Sequence, residues 1–168
     1  LDKILEAAPS DQRQTVLFSA TLPSGIQKII ERFTTDAVRV KIEATATTIP
    51  NIEQSYVEVD YRSKTEVLCR LMDLHDVKYG IIFGFTKIQV DELTDALVAR
   101  GYAADKLHGD MTQMMRERVM KRFRDRQIEL LVATDVAARG LDVDDLEIVF
   151  NYELPHDPED YVHRIGRT

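Results

Sequence analysis

The 168 residues predict an α/β domain of three layers with a mostly parallel central sheet, preceded by a short partial-domain segment. Three observations carry that reading. From about residue 52 onward strand-like and helix-like periods alternate strictly, the pattern of βαβ units. The runs Ile81-Ile82-Phe83 and Leu130-Leu131-Val132 are continuously apolar, as strands covered on both faces must be. A hydrophobic fraction of 44% is enough for a packed core.

Taken in order, residues 1–42 suggest a helix over 1–8, a strand over 15–18, the turn Ser19-Ala20-Thr21, and a helix from about Pro23. Proline is comfortable in a first helical turn. A lone strand leaves both its edges unpaired, so this segment reads as the tail of a larger domain. Residues 43–51 (EATATTIPN) are small, Thr-rich and closed by Pro50, and read as a linker. Residues 52–168 then form the main domain. Strands are expected at 54–60, 80–85, 103–107, 129–134 and 146–152, with helices at 64–75, 88–100 and 111–124 between them. Val90, Leu93, Leu97 and Val98 form one expected core stripe, and Met111, Met115, Val119 and Phe123 another. Right-handed crossovers put every strand-to-helix loop on one edge of such a sheet. Residues 85–87, 108–113, 134–142 and 152–156 should therefore converge.

Bulk properties narrow the function. A net charge of -7 and a pI near 5.1 exclude a wholesale polyanion binder, so any nucleic-acid contact must be local. Cys69 is the single cysteine, which excludes an internal disulfide or a cysteine cluster for zinc. A reducing compartment fits, the cytosol or the nucleus, with a cytoplasmic protein expected. No apolar run approaches the roughly 20 residues that span a bilayer, and the first residues lack the order of a signal peptide. No membrane partner and no metal site are expected, and nothing signals a stable oligomer.

Three stretches carry chemistry. Residues 133–142 (ATDVAARGLD) start at a strand end and read as a functional loop. There Gly140 permits close backbone approach to a ligand, and Asp142 offers a carboxylate to ribose hydroxyls. An Asp135–Arg139 ion pair is an equally open structural alternative. Residues 163–168 (HRIGRT) bring Arg164 and Arg167 near one another on a helical turn, as planar forks suited to phosphate or as a basic helix end. The helix from Met111 bears Gln113, Arg116, Arg118, Lys121, Arg122 and Arg124, a local basic surface for a sugar-phosphate backbone. Arg118, Arg122 and Arg124 read better as a solvated face, with Glu117 and Asp125 neutralising part of it.

LFSAT around Ser19 and Thr21, IIFGFTK, HGDMTQMMRER, LLVATDVAARGLDV and YVHRIGRT, in that order and at that spacing, resemble the later motifs of DEAD-box RNA helicases. The resemblance spans about Gln14 to Thr168. It implies that residues 52–168 are most of a second RecA-like domain and that residues 1–42 end the first. It implies that Ser19 and Thr21 couple nucleotide state to domain closure, and that Thr86, Gly109, Gln113, Arg116 and Thr134 touch the RNA sugar-phosphate backbone. Asp142 with Gly140 matches the ribose side of ATP, Arg167 an arginine finger to the γ-phosphate, and His163 a contact to the first domain. The partners implied are RNA, read without regard to sequence, and the first RecA-like domain. ATP with Mg²⁺ is implied in the full-length enzyme, held mainly by that first domain. The sequence has no GxxxxGK[ST] run and no DEAD tetrapeptide, so the chain alone is expected to be inactive. The family's second finger arginine would fall three residues past Arg167, and Phe85 stands where relatives more often carry a polar residue. The alternative from a different class is a non-catalytic RecA-like RNA-binding or protein-interaction module. A DNA-directed translocase is disfavoured because HRIGR departs from the QxxGRxxR pattern of other helicase families.

Overall fold

The computed structural model describes residue 8 and residues 13–18, 24–40, 52–138, 141, 143 and 146–168. The expected helix at 1–8 (but for Ala8), the turn with Ser19 and Thr21, the linker at 43–51, and Gly140 and Asp142 lie outside the described residues. The chain divides into two compact units, Leu1–Thr47 and Thr48–Thr168.

In the first unit, helix α1 spans Ser24–Phe33. Ile26, Ile29, Ile30 and Phe33 make one stripe on it, yet none of its residues is buried. Thr34 closes the helix by donating both its N–H and its hydroxyl to the Ile30 carbonyl, at 2.9 and 2.6 Å. The strand expected at 15–18 is not formed. These residues have no ladder partner among the described residues, and Phe18 is 95% exposed. A strand exists only as one side of a ladder, so apolar residues alone do not make one.

Among the described residues of the second unit, four strands form one parallel sheet: β1 (Gly80–Gly84), β2 (Ala104–Leu107), β3 (Leu130–Thr134) and β4 (Ile148–Asn151). Their order is β2-β3-β1-β4. A 3-10 turn, Tyr61–Ser63, leads into α2 (Lys64–Leu74); α3 (Lys87–Ala99) joins β1 to β2, and α4 (Gln113–Arg124) joins β2 to β3. The four-residue α5 (Asp135–Ala138) follows β3 directly, and α6 (Pro158–Ile165) follows β4. The direction of winding reverses after β2, so crossovers of one hand place α3 and α4 on opposite faces. No described helix is long and apolar enough to cross a membrane.

The pleat of β1 shows the three layers. Ile82 points into a core with Leu68, Cys69 and Met72 of α2, Val90, Leu93 and Leu97 of α3, and Leu130 and Val132. Ile81 and Phe83 point the other way, toward Leu107, Leu131, Ala133 and Val119, Met120 and Phe123 of α4. Alternate residues of a strand necessarily serve opposite faces. Two expected stripe members miss the core. Val98 is 52% exposed because it lies one residue past Leu97, about 100° around the helix. Met115 is 51% exposed in the first turn of α4, and Met120 is buried instead. The strand expected at 54–60 is also not formed: the segment has no ladder partner among the described residues, and Tyr56 is 86% exposed.

Phe123 is fully buried and stacks on Tyr79 with ring centroids 4.4 Å apart. Phe123→Ala should therefore cost about 3–5 kcal/mol, while Val98→Ala on the exposed side of α3 should cost less than about 1 kcal/mol. Urea unfolding of the two variants measures both, and similar losses would contradict the layer assignment.

Candidate functional site

Parallel strands end on the same edge, so the segments after β1, β2, β3 and β4 all lie at the carboxyl edge of the sheet. Local chemistry fixes each one. Thr86 caps α3, its hydroxyl accepting from Gln89 N at 3.1 Å, and Thr112 caps α4 through Met115 N at 3.3 Å. Asp157 caps α6 through Glu159 N at 2.9 Å, with Pro158 in the first turn.

Ion pairs then tie segment to segment. Lys87 Nζ reaches Asp110 Oδ2 at 2.5 Å, joining the β1–α3 and β2–α4 connections across the end of β3, which lies between those strands. Glu153, past β4, accepts from Lys64 Nζ at 2.7 Å and from Gln89 Nε2 at 3.0 Å. Partial burial pushes the Glu153 carboxyl up, but these two donors outweigh it and leave its pKa below the ordinary value. His108, just past β2, is buried with Nε2 3.2 Å from Asp91 Oδ1, and its Nδ1 has no hydrogen-bond partner among the described residues.

The deepest charge at this edge is Arg164 of α6, 2% exposed. Its fork grips both oxygens of Asp135, Nε to Oδ1 at 2.6 Å and Nη2 to Oδ2 at 2.8 Å. Nη1 donates to Asn151 Oδ1 at 2.8 Å and to the Glu153 carbonyl at 2.5 Å. The guanidinium carbon also lies 4.7 Å from the centroid of the Phe83 ring. Asp135 is thus paired with Arg164; Arg139, the partner open to it in the sequence, lies outside the described residues.

One turn on, Arg167 is half-buried and donates Nη1 to the Leu141 carbonyl at 2.5 Å. Arg167, His163, Asp160, Asp135, Ala138 and Phe83 line a small open cleft with Arg164. His163 is exposed, with Nδ1 3.9 Å from Asp160 Oδ1. Thr134 ends β3, half-buried; Gly109 follows β2, exposed; Gln113 opens α4, its amide donating to Glu117 at 2.8 Å. Arg116 donates Nη2 to the Ala137 carbonyl, joining α4 to α5. The expected basic face of α4 is neutralised in part: Lys121 pairs with Asp125 and Arg122 with Asp105, each at 2.5 Å.

The sequence and the fold are both similar to those of known proteins. The helicase conserved C-terminal domain matches residues 63–168. All 168 residues align at 51% identity with the DEAD-box ATP-dependent RNA helicase CshA of Bacillus cereus, over 32% of that protein. The chain belongs to the DEAD-box helicase family. A DEAD box protein from the hyperthermophile Methanococcus jannaschii is 44% identical and superposes with a TM-score of 0.67, over 99% of this chain and 44% of that one. S. cerevisiae Dbp5 bound to RNA and ADP BeF3 is 31% identical with a TM-score of 0.82, over 99% of this chain and 45% of that one. The fold is RecA-like, and the chain spans about a third of the length of the curated relatives it matches.

Sequence reasoning missed the Arg164 anchor and the Lys64–Glu153–Gln89 cluster. The pair Asp157-Pro158 marks the start of α6, and Arg164 and Ile165 are the helix's two buried residues. That helix start was a readable signal; which arginine faced inward was not. Arg164→Ala should lower stability by about 3–5 kcal/mol, because it leaves the partly buried Asp135 carboxylate, the Asn151 amide oxygen and the Glu153 carbonyl without their shared donor. Arg167→Ala, which removes one hydrogen bond from a half-buried side chain, should cost no more than about 1.5 kcal/mol. Chemical unfolding of the two variants should separate them; equal losses would contradict the anchor.

Proposed function

We propose that this chain is the C-terminal RecA-like half of a DEAD-box ATP-dependent RNA helicase that couples ATP binding and hydrolysis to RNA duplex unwinding or remodelling. The observation that carries the reading is the sharing of one sheet edge by Arg167 and His163, in a single cleft, and by Thr86, Gly109, Gln113, Arg116 and Thr134. Residues 1–42 are then the tail of the first RecA-like domain and 43–51 the linker, in a cytoplasmic protein.

The labour divides between domains. The sequence carries neither a Walker A run nor a DEAD tetrapeptide, so ATP and its Mg²⁺ are gripped chiefly by the first domain. Asp142 and Gly140 serve the ribose side. Arg167 serves the γ-phosphate: one N–H is bound to the Leu141 carbonyl, and the rest of its fork has no partner among the described residues. Such a fork suits phosphate oxygens. His163 meets the first domain, and Ser19 and Thr21 relay closure. Because finger and phosphate cradle lie on different domains, hydrolysis needs closure, and closure also completes the RNA groove. ATP and RNA binding are thereby coupled. Contacts confined to sugar and phosphate make the grip indifferent to sequence.

Gly109 offers a clean probe of the RNA side. It lacks a positive φ, and a Cβ there would meet nothing within 4 Å, so the fold itself does not require glycine. In the full-length protein, Gly109→Ala should leave the unfolding midpoint unchanged and weaken RNA binding about tenfold, the equivalent of roughly 1.4 kcal/mol. Arg167→Ala should lower RNA-stimulated ATP hydrolysis about a thousandfold or more while RNA is still bound. Undiminished hydrolysis by the Arg167 variant would overturn the finger assignment.

A further inference from the structure

Phe85 directly follows the last residue of β1, and its side chain is 49% exposed. Its neighbours hold it there. Gly84 packs so closely on α3 that a Cβ would meet Val90 Cγ2 at 3.0 Å. Thr86 is committed to capping α3, and the Phe85 N–H donates to Gln89 Oε1 at 2.8 Å. With the backbone pinned on both sides, the ring stays at the carboxyl edge. A second ring comes from a different connection: His156, after β4, stands at 87° to Phe85 with centroids 4.7 Å apart. His156 is exposed as well.

A single exposed phenylalanine is ordinary. Two rings from separate connections, set edge to face beside Thr86, form an aromatic corner that is ordered before any ligand arrives. Every nucleobase has a π-face that such a corner can receive. We infer that Phe85 and His156 form a stacking platform for one unpaired RNA base, at the nucleotide whose backbone lies against Thr86. This rests on reading the Thr86 edge as the RNA site and deepens it, since backbone contacts do not register a missing base and a ring stack does. Ile88 in the first turn of α3 and Leu154 after β4 are exposed and apolar, features a protein partner could use. RNA is favoured because Phe85 is followed directly by the exposed hydroxyl-bearing Thr86 and the cationic Lys87.

The test uses the full-length protein with a non-hydrolysable ATP analogue and a short single-stranded RNA in which one abasic site is moved along the strand. Wild type should lose about 5- to 150-fold in affinity at one abasic position, the span of a single base–aromatic stack. Phe85→Ala should weaken binding to the intact strand by a similar factor and abolish the position dependence, and Phe85→Tyr should restore it. Equal weakening of intact and abasic strands by Phe85→Ala would overturn the platform, as would wild-type indifference to every abasic position. If Gly109→Ala still weakens RNA binding in that case, the RNA edge survives and only the platform falls. If apolar docking of a protein is the true use, Phe85→Ala leaves affinity for every strand unchanged, which also overturns the inference.

Discussion

A guanidinium with 2% of its surface exposed organises the carboxyl edge of this domain. Taking Arg164 out of water costs several kcal/mol, and only a nearly complete set of partners offsets that. The set is present: both oxygens of Asp135, the Asn151 amide oxygen, the Glu153 carbonyl and the face of Phe83. These partners come from the ends of three strands and the segments that follow them. A planar fork satisfied in this way has little freedom to rotate, so it fixes where α6 begins its last turn. Arg167, one turn beyond, inherits that position beside the Leu141 carbonyl.

The sheet order explains why such an anchor is useful. With β3 and β1 central, the connections that follow all four strands crowd onto one edge, and their charges must be reconciled. Lys87–Asp110, Lys64–Glu153 and Lys106–Asp91 do so at 2.5 to 2.7 Å. Asp91 is held below the ordinary carboxylate range, first by the Lys106 hydrogen bond, with burial opposing. An acidic chain thereby keeps a locally neutral edge. Nucleic-acid contact in such a setting depends on placed donors such as Gln113 and Arg116 more than on a broad positive field.

How much of this was legible follows physical lines. The central strands were, because burial on both faces forces continuous apolar runs at 81–83 and 130–132. The edge strands β2 and β4 were legible too, at 103–107 and 146–152, but two further expected strands do not form. Residues 15–18 and 54–60 have strand-like composition, but pairing needs a neighbour, and neighbours are a tertiary property. Val98 and Met115 misled because a helix stripe drifts with its 3.6-residue period and a first turn can project past the sheet. The motifs singled out His163 and Arg167, and both line one cleft. Arg164 read as a fork for phosphate or a basic helix end and is instead buried on Asp135, since sequence distinguishes a buried arginine from an exposed one only through its partners, and Asp135, Asn151 and Glu153 lie 29, 13 and 11 residues away.

Amide hydrogen exchange of an Asp135→Asn variant tests the organising role of this anchor most directly. Loss of the carboxylate charge should speed exchange across α6 by about tenfold or more, the equivalent of roughly 1.4 kcal/mol. Exchange in α3 and α4, held by the two apolar layers, should stay as in the wild type. Unchanged protection of α6 would contradict the account.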